Sequence, residues 1–373
     1  MLFITILLFF LINIQSNATE NFKAPSAIIL NYNNLEIIYK TNNIYKKTTP
    51  SSMTKVMTAY VIFDLIDKNL LKLDDKYKIS IRAWRQEGSR MFLEPEKYVE
   101  VDNLLKGLIV QSGNDAAVAL AEGSFKNIDN FVDEMNKTAK LINMNNTHFA
   151  NPNGLYDSNH YMSTYDTALL FYNLIKNHKK LYDKYFSLPS FSYNNISQRN
   201  RNFLLGNYDG LDGGKTGHTD EGGYSLVSSA EKNDQRFIVV VNGLQNENER
   251  FIETKKMFDY AFSLFSYVSL YKKDEIVQSI NVSNGDKKFL NIYTPVDVIY
   301  STKKENIDKL KIELVISNNL KAPIKKDEVV GNIIIYDGDF IKKFDLLAKD
   351  NVNKLKIYDK FVLFLYNIYK NIK

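Results

Sequence analysis

The sequence predicts an α+β protein: an antiparallel sheet flanked by helices, then a small all-β domain and an amphipathic C-terminal helix. Three observations carry this. Residues 207–243 hold strand signals at hairpin spacing, the pattern of an antiparallel sheet. The stretches 54–69, 101–122, 128–142 and 164–177 place apolar residues at helical spacing. Beyond about Tyr267 the texture shifts to short β-like runs separated by turn residues. With 373 residues, 45% of them hydrophobic, the chain is long enough for two domains and a large core. The expected division is 1–18 signal peptide, 19–266 main domain, 267–348 β domain and 349–373 terminal helix.

Residues 2–14 form an uncharged apolar run ending in Ser16-Asn17-Ala18, small residues of the kind a signal peptidase accepts. The run lacks an N-terminal lysine and is short for a membrane span. A cleaved signal is expected, placing the mature chain outside the cytoplasm. Residues 24–40 read as two strands around an Asn33-Asn34 turn. Thr48-Thr49-Pro50-Ser51 reads as a helix entry, with Ser51 as the cap. Met57, Val61, Ile62 and Leu65 then carry a helix to about Asn69. Residues 71–100 are mixed. The long apolar stretch 101–122 is broken by Gln111-Ser112-Gly113-Asn114-Asp115, either a hydrogen-bonded helix junction or a functional loop, because buried polar groups are costly unless partnered. Asn151-Pro152-Asn153-Gly154-Leu155 is a turn, and Thr164 is the expected cap of the helix to Asn177. Arg250 to Phe265 is a closing helix. In 352–373, Leu355, Tyr358, Val362, Leu365, Tyr369 and Ile372 share one helical face, opposite Lys356 and Lys360. That helix either lies in a membrane interface or packs on the β domain, the interface being favoured by so many large apolar residues at a free end.

Composition removes several function classes. Without cysteine there is no disulfide framework, thiol nucleophile or thiolate metal site. His148, His160, His178 and His218 show no paired ligand spacing, so no metal and no cofactor is expected. A net charge of +5, spread along the chain, gives no argument for nucleic acid. The positive indication is Ser52-Met53-Thr54-Lys55 at a helix start, with Ser52 and Lys55 on one face. A serine needs a base to become a nucleophile. A lysine serves only if burial or a neighbouring cation lowers its pKa.

Two later stretches stand with it, Ser112-Gly113-Asn114 and Lys215-Thr216-Gly217. With these three in order, the chain resembles the low-molecular-mass penicillin-binding proteins, the serine D-alanyl-D-alanine carboxypeptidases. The resemblance runs from about Ala24 to Phe265. It includes Ser89-Arg90-Met91-Phe92-Leu93, Asn151 to Leu155, Asn200-Arg201-Asn202 and Asp212 to Thr219, and Ala322 to Lys326 resembles part of the family's C-terminal β domain. It implies a β-lactamase/DD-peptidase-like fold, and removal of the terminal D-alanine of peptidoglycan stem pentapeptides through an acyl-enzyme on Ser52. β-Lactams would be inhibitors. The implied roles are Lys55 as base, Ser112 as proton relay to the leaving nitrogen, and Asn114 bonded to the substrate amide and to Lys55. Lys215 and Thr216 would hold the terminal carboxylate, with the Lys215 charge also helping to keep Lys55 neutral. Gly217 would leave room for the substrate backbone, and the N–H groups of Ser52 and His218 would form an oxyanion hole. The imidazole of His218 has no catalytic role in this scheme. Alternatives sharing the motifs are a DD-endopeptidase and a β-lactamase; the region 143–163 lacks the deacylating glutamate of the latter. A non-catalytic peptidoglycan-binding protein would be expected to have lost Ser52 or Lys55. The expected location is the periplasm or the outer face of the cytoplasmic membrane, with peripheral attachment.

Overall fold

The computed structural model describes residues 21–317 and 320–356. The chain opens with β1 (Ser26–Asn31) and β2 (Ile37–Lys40), then α1 (Thr54–Asp67), β3 (Lys76–Lys78), α2 (Ile81–Trp84) and β4 (Tyr98–Glu100). Helices α3 (Val101–Val110), α4 (Asn114–Phe125), α5 (Ile128–Leu141), α6 (Thr164–Asn177) and α7 (Lys179–Phe186) follow. The hairpin β5 (Ser190–Tyr193) and β6 (Ile196–Arg199) leads to β7 (Leu211–Thr219), β8 (Gly223–Lys232), β9 (Gln235–Leu244) and α8 (Glu247–Ser263).

The main sheet is antiparallel in the order β2-β1-β9-β8-β7, so β7 is an edge strand. Strands β1 and β9 carry the unbroken apolar runs Ala27 to Leu30 and Phe237 to Val241 because both faces are covered, whereas β8 includes the buried Ser225, Ser228 and Ser229. Alternate residues sort into two cores, as the pleat requires. Ile28, Leu30, Val227, Ile238 and Val240 pack toward the helices, whereas Ala27, Ile29, Leu226, Val239 and Val241 pack toward α8. Helix α1 runs through the helical layer, and every residue from Thr54 to Phe63 is buried. Lys55 stands in its first turn, so the packing that stabilises the helix also strips water from that amine.

The β part begins with β10 (Phe265–Tyr271), followed by β11 (Ile276–Asn281), β12 (Phe289–Tyr293), β13 (Val298–Lys303), β14 (Lys311–Ile316), β15 (Val329–Asp337) and β16 (Phe340–Ala348). Strand β10 pairs with β13, and the others form a sheet in the order β11-β12-β16-β15-β14 around Leu290, Ile292, Ile333, Ile335 and Leu346. Ion pairs Lys303–Glu36 and Lys342–Asp234 join this part to the main sheet.

Several local expectations change. Ser51 is not a cap. It adopts φ +49° and opens a 3₁₀ turn, Ser51–Met53, so α1 starts at Thr54 and ends at Asp67. Ser163, not Thr164, caps α6, accepting from Asp166 N–H at 3.0 Å; the Thr164 hydroxyl instead bonds Ser26 and Asn242. Helix α8 starts three residues earlier than expected because Asn246 accepts from Glu249 N–H at 2.9 Å. The terminal helix does not begin at 349–356. Val352 is fully buried in the β core and bridges Ile324, and Lys354 bridges Gly285. Residues 357–373, the rest of that expectation, and 1–20, which include the expected signal peptide, lie outside the described residues.

Candidate active site

The 3₁₀ turn and the edge strand β7 meet closely. A Cβ on Gly217 would stand 2.2 Å from Ser51 Oγ, so any side chain here would force the Ser51 hydroxyl aside. On the other side Gly154, at φ +85°, lies where any Cβ would meet the Ser51 carbonyl oxygen at 1.8 Å. Between these two contacts Ser51 is buried and Ser52 is left half-buried, facing a cleft of about 310 Å³. Ser112, Thr216, Gly217 and His218 line the same cleft.

Lys55 Nζ lies 2.9 Å from Ser52 Oγ and 2.7 Å from Asn114 Oδ1, and also donates to the Asn153 carbonyl. A neutral amine has two hydrogens and one lone pair. The two carbonyl oxygens can only accept, so they take the hydrogens, and the lone pair is left for the Ser52 hydroxyl. Burial, reinforced by the charge of Arg201 and opposed by Asp115, pushes the Lys55 pKa down to about 7. The ammonium form would find three acceptors in the same places, so a proton can pass from Ser52 to Lys55 without rearrangement.

The supports of these partners explain the other motifs. The Asn114 amide donates to the Glu87 carbonyl at 2.6 Å, and its backbone N–H donates to Ser89 at 2.7 Å. Asp115 accepts from the N–H groups of Met91, Leu93 and Ala116, fixing residues 89–93 against α4. The 151–154 turn is held by Thr58 donating to the Pro152 carbonyl and by Gly154 N–H donating to Asn151 Oδ1. His160 accepts from Ala150 N–H at Nδ1, so its Nε2–H donates to Thr54; burial pushes its pKa down to about 4 and keeps it neutral.

Lys215 Nζ is buried and donates to Ser112 Oγ at 2.9 Å and to the Thr216 carbonyl at 3.0 Å. Ser112, with φ +62°, sits at the junction of α3 and α4, where its hydroxyl remains free to donate onward. Burial, then the charges of Lys55, Arg201 and Arg250, holds Lys215 well below the ordinary lysine range. The Lys55 and Lys215 charges disfavour each other, and Arg201 acts on both amines. Neither arginine was assigned a role from sequence. Arg201 was visible only inside Asn200-Arg201-Asn202, and nothing in the sequence marked Arg250 as buried at the site. The Arg250 side chain pairs with Glu247, the one acid lining the cleft among the described residues. Glu247 compensates Arg250, and no other acid lines the cleft beside Arg201 and Lys215 among the described residues. The His218 side chain is exposed and lies on Tyr224 with ring centroids 4.0 Å apart.

A half-buried serine beside a dehydrated lysine, an amide clamp and an anion-seeking wall defines a serine-type acyl-transfer enzyme. The comparisons narrow that class. The model of the D-alanyl-D-alanine carboxypeptidase family, peptidase S11, matches residues 13–246, and that of the penicillin-binding protein 5 C-terminal domain matches 265–354. The chain belongs to this D-alanyl-D-alanine carboxypeptidase family. It is 35% identical to the D-alanyl-D-alanine carboxypeptidase DacF of Bacillus subtilis, over 89% of this chain and 86% of that protein. The crystal structure of penicillin-binding protein 5 from Haemophilus influenzae is similar at TM-score 0.68 and 32% identity, covering 91% of this chain and all of that one. Ampicillin-bound penicillin-binding protein D2 from Listeria monocytogenes is similar at TM-score 0.60 and 30% identity, over 66% of this chain and all of that one.

Proposed function

We propose that the enzyme removes the terminal D-alanine of peptidoglycan stem peptides through an ester on Ser52, and that β-lactams acylate the same oxygen. The observation that carries this is the fully buried Lys55 amine 2.9 Å from Ser52 Oγ, with its hydrogens directed to two carbonyl oxygens. Ser52 attacks the penultimate carbonyl as Lys55 takes its proton. The backbone N–H groups of Ser52 and His218 receive the oxyanion. Ser112 passes a proton to the leaving nitrogen, water hydrolyses the ester, and Asn114 orients the substrate amide. Incubation with a muramyl pentapeptide should yield tetrapeptide and free D-alanine by mass; an unchanged pentapeptide would refute the reading. The β-lactamase alternative is disfavoured because Glu247, the cleft's acid, is tied to Arg250 at 2.6 Å and the 143–163 loop has no glutamate.

The terminal carboxylate belongs at the cation-rich wall, on Lys215 and Thr216. An incoming anion opposes the burial and the neighbouring cations that together depress the Lys215 pKa, so substrate binding favours the charged amine. Lys215→Ala should lower kcat/KM well beyond tenfold, in line with about 2–5 kcal/mol for losing a buried charge-assisted contact, while Lys215→Arg retains part of the activity. Near-normal kcat/KM in the alanine variant would rule out the carboxylate role.

The enzyme acts on the outer side of the cytoplasmic membrane, attached to its surface through residues 357–373. Tyrosines and lysines flank the apolar run Phe361 to Leu365 there, and among the described residues no helix is long and apolar enough to cross a membrane. Removing the residues after Lys356 preserves Val352, which the β core needs. The truncated protein should move to the soluble fraction with unchanged turnover of a soluble peptide. Continued pelleting with membranes would refute attachment through this segment.

A further inference from the structure

The cleft does not end at the carboxylate wall. Arg201 and Glu247 line both the cleft and a larger, more open hollow of about 520 Å³ beyond it. The far side of that hollow is aromatic. Phe203, from the loop between β6 and β7, and Phe251, from α8, stand with ring centroids 5.8 Å apart and planes tilted by 46°. Phe203 is 64% exposed, although its neighbour Leu204 is buried in the core. The Arg250 guanidinium lies 4.7 Å over the Phe251 ring, tying this shelf to the cationic wall.

The direction of the substrate follows from charge. Arg201 and Arg250 line the cleft with Thr216, and their charges act on Lys215; the terminal carboxylate belongs beside them, and that carboxylate is carried by the leaving residue. Its side chain is bonded to the same Cα, so it is the substrate group next to the aromatic hollow. The methyl of D-alanine fills only a small part of 520 Å³. We infer that Phe203 and Phe251 form a leaving-side subsite that accepts a C-terminal D-residue with a large apolar side chain, such as D-phenylalanine or D-leucine. The reaction is otherwise the same. The amide C–N bond breaks as the Ser52 ester forms, the nitrogen takes a proton and leaves as the free D-amino acid, and water then hydrolyses the ester.

This inference rests on the carboxypeptidase reading, and the test separates the two. Full-length protein is given diacetyl-L-lysyl-D-alanyl peptides ending in D-alanine, D-leucine or D-phenylalanine, and the released amino acid is quantified. The unmodified enzyme should release D-phenylalanine with a kcat/KM at least comparable to that for D-alanine. Phe203→Ala and Phe203→Gly should lower D-phenylalanine release about tenfold and leave D-alanine release unchanged. Release of D-alanine but not D-phenylalanine by the unmodified enzyme would overturn the subsite. So would an equal fall for both substrates in the variants, or no fall for D-phenylalanine. Release of neither residue by the unmodified enzyme would overturn the carboxypeptidase reading and this inference with it.

Discussion

Ser52→Ala should eliminate turnover, lowering kcat/KM by about 10⁴-fold or more, as loss of an activated nucleophile does elsewhere. The expectation is specific to this serine. Ser51 is adjacent, but it is buried between Gly217 and Gly154 at a positive φ, with its hydroxyl against β7. Thr54 is occupied by His160, and Ser112 by Lys215. Removing the half-buried Ser52 hydroxyl leaves Lys55 its two carbonyl partners, so stability should change by no more than about 1 kcal/mol. Loss of activity with an unchanged melting curve is the expected pair of results. Residual turnover within tenfold of the unmodified enzyme would place the nucleophile elsewhere.

The second large effect is expected at Lys55. Lys55→Arg places a permanent cation at this position of α1 and removes the lone pair, since a guanidinium stays protonated at any working pH. Acylation should fall by about 10³-fold, the scale of a lost general base. If Lys55 served only as a positive charge near Ser52, the arginine variant would retain most of the rate. Stopped-flow acylation by a chromogenic cephalosporin separates the two outcomes. The lowered pKa also links to stability. From about pH 7 up to the ordinary lysine value, the unfolded chain binds the proton that folded Lys55 has released. Stability should therefore rise with pH across that window as far as Lys55 contributes.

What the sequence made legible was local. The strands of 207–243 were visible because strand signals stand there at hairpin spacing, and β9, covered on both faces, carries the continuous apolar run Phe237 to Val241. Ser52 and Lys55 were visible because three residues on a helix set their spacing. The features that make Lys55 a base were not. Its partner carbonyl belongs to Asn153, 98 residues away, and the cation that reinforces its burial is Arg201. Fold-level contacts of that kind leave no periodic trace. The hairpin β5–β6 had a turn signal in Asn194-Asn195, both at positive φ, but its strands are only four residues each and their residues are mostly exposed or half-buried. At the C-terminus the helical pattern reached too far toward the β domain, because Val352 fits an apolar helical face and a buried bridge equally well.

The central claim is that Ser52 is acylated because Lys55 is neutral. Its most direct test is to measure the rate of benzylpenicillin acylation from pH 5.5 to 9 and to map the adduct by peptide mass spectrometry at each pH. The adduct should lie on Ser52 throughout. The rate should be low at acid pH, where the folded-state amine is protonated, rise through an apparent pKa near 7, and then level off. An adduct on any other residue, or a rate that does not change across pH 7, would contradict the account.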